Sequence, residues 1–187
     1  MTSPALYRAD PFAWMVDRVL THEGGPRFTM DPRDPGGATR WGISLSFARY
    51  QAARFDIDGD GDVDPDDIRI LPKDDAVLAY RDCFFDPVRG ADLPAWAAYP
   101  TFDMAVNQGI RAAARTLQRT IGATADGVIG PRTLSYAAAM DPVLGLSDFT
   151  ARRAKKYAET RNFDRFGLGW MRRAIDVHDT TAAILSA

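Results

Sequence analysis

The sequence contains few of the residues on which thiol, disulfide and zinc chemistry depend. Its 187 residues include one cysteine, Cys83, and two histidines, His22 and His178. A single cysteine excludes an internal disulfide, and these three side chains are a poor supply of ligands for a catalytic zinc ion. Cys83 also has no evident partner for a thiol protease. We therefore expect any hydrolytic chemistry of this chain to depend on carboxylates.

Long apolar runs are absent as well. The N-terminal stretch MTSPALYRADPF is too polar for a signal peptide, and no later stretch is long enough to span a bilayer. The sequence therefore predicts a protein that is made in the cytoplasm without a signal peptide and does not insert into a membrane. A target outside the cytoplasm would require another factor to release or carry the protein.

Positive charge is modest and unevenly spread. The chain has 23 Lys and Arg against 25 Asp and Glu, a formal charge of −2, but seven of the acidic residues lie within residues 56–67. Outside that segment the chain is mildly basic, which suits an anionic polymer. The excess of basic residues is too small to indicate a nucleic-acid partner.

Helical periodicity dominates the chain and predicts a mainly α fold. Asp10 and Pro11 are typical of a helix start, and the apolar stripe that follows reaches Glu23 before two glycines end the helix. The next segment is rich in Pro, Gly and Asp and has short β-prone pieces, which predicts a small β-hairpin. Further helices are expected over residues 44–55, 74–85 and 101–122, the last with an interruption at Gly109.

Glutamate is scarce, because only Glu23 and Glu159 occur among the 25 acidic residues. Glu23 stands at the carboxyl end of the first helix, where the negative end of the helix dipole disfavours the ionised form. Burial in a cleft would act in the same direction. A carboxyl group that stays protonated near neutral pH is what a general acid needs to protonate a glycosidic oxygen. The alternative is an exposed side chain at a fraying helix end.

A glycosidase usually needs a second polar group near the bond that it cleaves. The candidates within the reach of one hairpin are Asp31, Asp34 and Thr39. Aspartate in a DPxDPGG segment is also an ordinary turn-forming residue, so a structural role is the alternative for each carboxylate.

Seven motifs follow one another in an order that resembles a known family. They are HEGG (22–25), DPRDPGGATRWGIS (31–44), YRDCFFDP (80–87), FDMAVNQG (102–109), LQRTIG (117–122), DGVIGPRTL (126–134) and GLGWMRR (167–173). Together they resemble glycoside hydrolase family 108, which contains N-acetylmuramidases found largely in phage and prophage lysis cassettes. The motifs after residue 109 resemble the predicted peptidoglycan-binding domain that accompanies the family.

This resemblance implies a lysozyme-like helical fold with a small β-hairpin beside an active-site cleft. Residues 1–103 would form the muramidase catalytic region, and residues 104–187 a helical peptidoglycan-binding-like region that shares its core and cleft. The implied activity is that of a phage-type endolysin, cleaving the bond between N-acetylmuramic acid and N-acetylglucosamine in peptidoglycan glycan strands. We expect a monomer that reaches the periplasmic cell wall after holin-type release or delivery by a particle.

The resemblance also implies roles for individual residues. The Glu of the EGG motif is the proton donor of the family, which here is Glu23. The more distant Glu–Asp–Thr arrangement of phage-type lysozymes implies that Asp34 and Thr39 position the attacking water or stabilise positive charge on the sugar. The spacing from Glu23 to Asp34 is longer than in that wider pattern, so Asp31 remains a competitor for the second carboxylate.

Three further residues are candidates for contact with the sugar. Asn107 and Gln108 precede the expected helix break at Gly109, where their side-chain amides could bond N-acetyl groups. Trp41 could stack on a sugar face. The alternatives are helix packing for the amides and a place in the hairpin core for the indole.

Residues 56–67, DIDGDGDVDPDD, match the twelve-residue loop of an EF-hand calcium site. Aspartates fall at the ligand positions of that loop: Asp56, Asp58, Asp60, Asp62, Asp64 and Asp67. Asp62 would offer its backbone carbonyl, and Gly61 takes the sharp-turn position. The final Asp in place of Glu resembles dockerin loops, and the segment departs from the usual family pattern, as an insertion would.

We expect one structural calcium ion at this loop, joining the helices on either side. Seven carboxylates within twelve residues repel one another unless a cation neutralises them. The alternative is a solvated acidic loop without an ion. No cofactor is expected for catalysis.

Other functions remain open on the sequence alone. One is a non-catalytic cell-wall-binding module that kept the fold, although the retained Glu23 disfavours it. Another is a calcium-regulated adaptor in which the acidic loop is the functional centre. A third is a chitinase- or chitosanase-like glycosidase on the same scaffold.

Overall fold

A computed structural model describes residues 4–31 and 34–187 of the chain. Pro32 and Arg33 of the DPRDPGG motif therefore lie outside the described residues. The described chain is mainly α-helical, with one two-stranded antiparallel sheet. The predicted fold class, a mainly α fold with a small β-hairpin, is confirmed. Within the described residues, no helix has both the length and the apolar character needed to cross a membrane.

The α-helices of the described residues are α1 (Pro4–Ala9), α2 (Pro11–His22), α3 (Leu45–Tyr50), α4 (Ala52–Phe55), α5 (Pro65–Ile70), α6 (Lys73–Tyr80), α7 (Ala95–Gln108), α8 (Ile110–Thr120), α9 (Pro131–Ala139), α10 (Pro142–Ala158) and α11 (Phe163–Leu185). The strands are β1 (Thr39–Arg40) and β2 (Ile43–Ser44). A π-helical turn, Arg81–Phe85, continues α6, and a 3₁₀ turn covers Gly90–Asp92.

The chain divides into two compact units. Val16–Tyr80 form one, which we call the hairpin unit because it contains β1 and β2. Residues 4–15 together with Arg81–Ala187 form the other, the helical unit. The functional division predicted after residue 103 concerns substrate contacts and stays a prediction.

The predicted start of helix α2 is confirmed in detail. Asp10 Oδ1 accepts the backbone N–H of Ala13 at 2.9 Å, and Pro11 takes the first helical position, where its missing N–H costs nothing. The helix ends with the N–H of Gly25 donating to the carbonyl of Leu20 at 2.9 Å. The apolar stripe of this helix is buried, as the periodicity predicts: Phe12, Met15, Val16, Val19 and Leu20.

One predicted helix is interrupted. The helix expected over residues 44–55 is two helices, α3 and α4, because Gln51 between them has φ −124° and ψ 45°, outside the helical region. Ser44 caps α3 by accepting the N–H of Phe47. Helix α4 ends at Phe55, directly before the acidic loop.

The helical unit is built around α7, which begins at Ala95, earlier than predicted, and contains Pro100. Its buried aromatic residues, Trp96, Tyr99 and Phe102, contribute to the core. The expected break between α7 and α8 is confirmed at Gly109, whose φ of +92° is a conformation that favours glycine.

A buried ion cluster fixes α7 to the two C-terminal helices. The Asp103 carboxylate on α7 accepts Arg153 Nη2 of α10 at 2.5 Å and Arg173 Nη2 of α11 at 2.8 Å. Burial would raise the pKa of Asp103, but the two guanidinium groups outweigh burial and hold that pKa below its usual value. Asp103 is therefore ionised in the folded protein and stabilises it.

We predict that Asp103→Asn lowers the free energy of unfolding by about 3–5 kcal/mol at neutral pH, since two buried guanidinium groups lose their counter-charge. Because the folded pKa is depressed, the stabilisation is present above the unfolded pKa of about 3.9 and is lost as pH falls through the folded pKa. Urea unfolding at several pH values measures the difference, which should shrink below about pH 4.

The matched control for that prediction is Asp148→Asn. Asp148 pairs with Arg152 on the surface of α10 at 2.5 Å, with both side chains about 40% exposed. Loss of this ion pair should lower the free energy of unfolding by at most about 1 kcal/mol. Equal losses for the two variants would contradict the role assigned to Asp103.

Candidate active site around Glu23

Glu23 is the first residue after α2, and its side chain is half-buried. Its backbone N–H donates to the carbonyl of Val19 at 3.0 Å, so the helical hydrogen bonding reaches this residue. Two residues later, the carbonyl of Gly25 accepts the N–H of Trp41 at 3.0 Å. The end of α2 is thereby bonded to the turn that joins β1 and β2.

That turn consists of Trp41 and Gly42, with φ values of 54° and 73°. Two consecutive residues with positive φ are typical of a type I′ hairpin turn, which matches the twist of the paired strands. The strands pair Thr39 with Ser44 and Arg40 with Ile43. The sequence therefore places a tight two-residue turn, rather than a flexible loop, beside Glu23.

Gly42 lies in direct contact with Glu23. A Cβ atom built on Gly42 would lie 2.6 Å from Glu23 Cβ and 3.0 Å from Glu23 Cγ, and it would overlap the Tyr80 hydroxyl oxygen. Real Cβ atoms do not approach other atoms so closely, so this position requires glycine for space as well as for its positive φ. The backbone of the turn thus packs against the aliphatic part of the Glu23 side chain.

Trp41 is held in an unfavourable conformation by hydrogen bonds. A bulky residue with φ of 54° costs on the order of 1–3 kcal/mol and persists only where its surroundings fix it. Its indole Nε1 donates to the Leu71 carbonyl at 3.2 Å, and its own carbonyl accepts the Tyr80 hydroxyl at 3.1 Å. These bonds give Trp41 a structural role in the turn, and its contact with sugar stays a prediction.

Tyr80 belongs to this site although the sequence analysis did not select it. Tyr80 is the last residue of α6, and its ring is buried. A buried tyrosine needs a partner for its hydroxyl, and here that partner is the Trp41 carbonyl, a contact that no spacing in the sequence indicates. The structure brings three residues together in the hairpin unit: Glu23, Gly42 and Tyr80.

The contacts of Asp34 and Thr39 are structural: Asp34 stabilises a turn and Thr39 pairs as a strand residue. The exposed Asp34 accepts the N–H of Gly36 at its Oδ1, at 2.8 Å, which closes an Asx turn. Thr39 exchanges two backbone hydrogen bonds with Thr29, at 2.8 and 2.9 Å. Asp31 accepts the N–H of Asp34 at its backbone carbonyl. The catalytic roles of these residues stay predictions.

The acidic loop is folded inward on its own backbone. Asp56 Oδ2 accepts the N–H of Gly61 at 3.1 Å, Asp58 Oδ1 accepts that of Asp60 at 3.2 Å, and Asp60 Oδ1 accepts that of Asp62 at 3.1 Å. The six predicted ligand residues form two groups, each with carboxylate oxygens within 4.8 Å of one another: Asp56, Asp58 and Asp60, and Asp62, Asp64 and Asp67.

Asp67 closes the loop at the start of α5. It is 1% exposed, and its carboxylate accepts the N–H groups of Ile57 at 2.7 Å and Asp64 at 2.8 Å. Burial raises the pKa of Asp67, but the backbone N–H donors outweigh burial and lower it overall. The Asp60 carboxylate raises the pKa of Asp62, a sign of repulsion within the loop.

Asn107 and Gln108 lie at the carboxyl end of α7, in the helical unit. The Tyr157 hydroxyl donates a hydrogen bond to Asn107 Oδ1. Both amides line a cavity of about 280 Å³ with residues of α10 and α11. Sequence reasoning did not select Tyr157 or Trp170, which face the same cavity from more than 45 residues further along the chain.

Comparison with known proteins adds three findings. The family model for glycosyl hydrolase 108 matches residues 16–109. A solved structure of SagA from Brucella abortus is similar, with 30% sequence identity, a TM-score of 0.79, and coverage of 93% of this chain and 95% of that chain. No match was found among curated proteins.

We predict that Gly42→Ala destabilises the protein by about 1–3 kcal/mol more than Gly37→Ala. Gly37 has a similar φ of +75°, but a Cβ there would meet only Leu45, at an ordinary 3.4 Å. Both variants pay the cost of positive φ, about 1 kcal/mol, and only Gly42→Ala adds overlap with Glu23 and Tyr80. Urea unfolding gives both values.

Tyr80→Phe provides a second control for this prediction. It removes the hydroxyl oxygen that the added Cβ overlaps. Gly42→Ala should therefore lower the free energy of unfolding by less in the Tyr80→Phe background than in the wild type. Additive losses in the double variant would show that the Gly42 and Tyr80 positions are independent.

Proposed function

The chain belongs to the glycosyl hydrolase 108 family, and on that premise we propose that it is an N-acetylmuramidase with Glu23 as its proton donor. Membership makes the protein a glycoside hydrolase of peptidoglycan. The proposal adds the bond that is cleaved, between N-acetylmuramic acid and N-acetylglucosamine, and the residue that protonates its oxygen.

The contact between Glu23 and Gly42 is the observation that carries the proposal. A general acid must be held in position, because a loosely placed donor loses much of the advantage of proximity. The turn backbone packs on Glu23 Cβ and Cγ, which restricts the side chain while leaving it half-exposed. The strained Trp41 beside it supports a functional interpretation, since backbone strain is concentrated at active sites.

In the proposed reaction, Glu23 donates its proton to the glycosidic oxygen as the bond from that oxygen to the sugar breaks. A second polar group then positions the attacking water or stabilises the positive charge on the sugar ring. We assign that role to Asp34 with Thr39, with Asp31 as the competing carboxylate. Asp31 and Asp34 precede β1, and Thr39 is its first residue, so all three are close in sequence to the turn that packs on Glu23.

We predict that Glu23→Gln lowers the rate of peptidoglycan cleavage at least about 100-fold, because the amide has the shape of the carboxyl group but cannot donate its proton in general acid catalysis. Release of soluble glycan from purified sacculi measures the rate. Thermal unfolding should show that the variant remains folded.

Glu159→Gln is the matched control, because Glu159 is the second glutamate of the chain. It lies at the end of α10, exposed and 3.8 Å from Lys155. Its substitution should leave the rate unchanged. An active Glu23→Gln variant would exclude Glu23 as the acid.

We further propose that residues 56–67 bind one structural calcium ion. Asp56, Asp58, Asp60, Asp64 and Asp67 would contribute carboxylate oxygens, and Asp62 its backbone carbonyl. Asp56 Oδ1 supports this fit, since it is buried and has no hydrogen-bond partner among the residues that the structure describes. A buried carboxylate oxygen without a donor is costly, and a hard cation would satisfy it.

We predict that calcium raises the melting temperature of the wild type, by an amount that corresponds to about 2.7 kcal/mol at a calcium concentration of 100 times Kd. Asp60→Asn should weaken this response, whereas Asp66→Asn should preserve it. Asp66 is an exposed acidic residue of the same loop that pairs with Arg69 and is no predicted ligand. Calorimetry with calcium and with chelator measures the shift, and an absent shift in the wild type would refute the calcium site.

The biological setting that we propose is lysis by a phage or by a phage-derived particle. The support is the resemblance of the motif order to enzymes of phage lysis cassettes. In this setting the protein acts as a monomer on the periplasmic cell wall after holin-type release or particle delivery.

A further inference from the structure

A small cavity lies at the carboxyl end of α7, within the helical unit. Its volume is about 280 Å³, just below the range of roughly 300–1,000 Å³ that is typical of small-molecule sites. Such a volume suits one small group or ring. Six residues line it: Asn107, Gln108, Lys156, Tyr157, Thr160 and Trp170.

One wall of the cavity is aromatic. The rings of Tyr157 and Trp170 stack with their centroids 5.4 Å apart and their planes at 16°. The Phe166 ring packs on Trp170 at 5.8 Å. These two ring contacts restrain the half-buried indole, whose apolar surface in the cavity lining is of the kind that the C–H face of a sugar or a methyl group packs against.

A chain of buried polar contacts fixes Asn107 beside this wall. Arg153, bonded to Asp103, also donates through Nη2 to the Tyr157 hydroxyl at 3.0 Å. That hydroxyl in turn donates to Asn107 Oδ1. Burial raises the pKa of Tyr157, so the hydroxyl stays protonated as a donor. Because the Asn107 oxygen is used in this bond, the hydrogen-bonding capacity that its amide offers a ligand is the N–H donors of Nδ2.

Gln108 contributes the complementary group. Its Oε1 is buried and accepts no hydrogen bond from any residue in the described part of the chain. A buried acceptor without a donor carries a desolvation cost, so its position calls for a donor from outside the chain. The cavity therefore has, next to each other in sequence, an amide that offers N–H donors and an amide oxygen that needs one.

We propose that this cavity binds the acetamido group of an N-acetylhexosamine. Asn107 donates to the acetamido carbonyl, Gln108 Oε1 accepts the acetamido N–H, and Trp170 packs against the methyl group or the ring. The proposal rests on the proposed function, because peptidoglycan supplies this group on both of its sugars. Lys156, an exposed residue of the cavity lining, would add contact with the carboxylate of N-acetylmuramic acid.

The test is a binding titration of full-length protein carrying Glu23→Gln, in which saturation-transfer NMR measures ligand binding. The probes are N-acetylglucosamine, N-acetylmuramic acid and glucose, which lacks the acetamido group. Both N-acetyl sugars should bind at least about 10-fold more tightly than glucose. If N-acetylglucosamine and N-acetylmuramic acid bind with equal affinity, the cavity recognises the acetamido group alone. If N-acetylmuramic acid binds more tightly and Lys156→Gln abolishes this difference, Lys156 also contacts the carboxylate.

Gln108→Met and Gln118→Met form a matched pair of variants. Gln108→Met removes a hydrogen-bond acceptor that has no partner within the described part of the chain. It should therefore weaken the binding of N-acetylglucosamine about 3- to 10-fold, while the melting temperature stays the same or rises. Gln118 is a buried glutamine whose amide donates to Asp126 at 2.7 Å and accepts the N–H of Gly127 at 2.9 Å. Gln118→Met should therefore lower the melting temperature and leave the sugar affinity of the folded protein unchanged.

Unchanged N-acetylglucosamine affinity in Gln108→Met, or equal binding of glucose, would overturn the proposal. On the active enzyme, the same substitution should raise KM for glycan strands with little change in kcat. These results are independent of the acid assignment. Cleavage that survives Glu23→Gln would refute the proposed role of Glu23 and leave the binding titration intact.

Discussion

The close packing of the β1–β2 turn on Glu23 is the contact on which the candidate active site depends. Gly42 can lie there only because it has no side chain and accepts a positive φ. The turn is fixed in this place by three hydrogen bonds, to the Gly25 carbonyl, to the Leu71 carbonyl and from the Tyr80 hydroxyl. Elements far apart in the hairpin unit therefore determine the position of one glutamate at the end of α2.

In the helical unit, buried charged groups hold helices together. Asp103, Arg153 and Arg173 form a charged cluster that joins α7, α10 and α11. Such clusters are costly to desolvate and are weak evidence of stability in themselves. Here the cluster also continues through Tyr157 to Asn107, which gives it a second consequence: it fixes an amide in the lining of a cavity. One polar network thereby serves packing and places a group for binding.

Much of the fold could be predicted because local signals agreed with each other. Asp10 and Pro11 marked the start of α2, and the two glycines after Glu23 marked its end. The interruption at Gln51 could not be predicted, because no glycine or proline marks it and the backbone leaves the helical region without a local sequence signal.

The candidate site could be predicted only in part. The EGG motif selected Glu23, whose catalytic role stays a prediction, whereas no local signal in the sequence indicates the bond from the Tyr80 hydroxyl to the turn. Tyr157 and Trp170 likewise belong to helices that approach Asn107 only in the folded chain. Contacts between residues far apart in the chain produce no regular spacing in the sequence. Residues that begin and end helices, in contrast, act on their immediate neighbours and can be recognised from the sequence.

The most direct test of the central claim is mass spectrometry of purified peptidoglycan after digestion by the wild type and by Glu23→Gln. We expect muropeptides that end in reducing N-acetylmuramic acid from the wild type and intact glycan from the variant, which would establish the bond and the acid together. Products that end in reducing N-acetylglucosamine would contradict the muramidase assignment. Identical products from both proteins would contradict the role of Glu23.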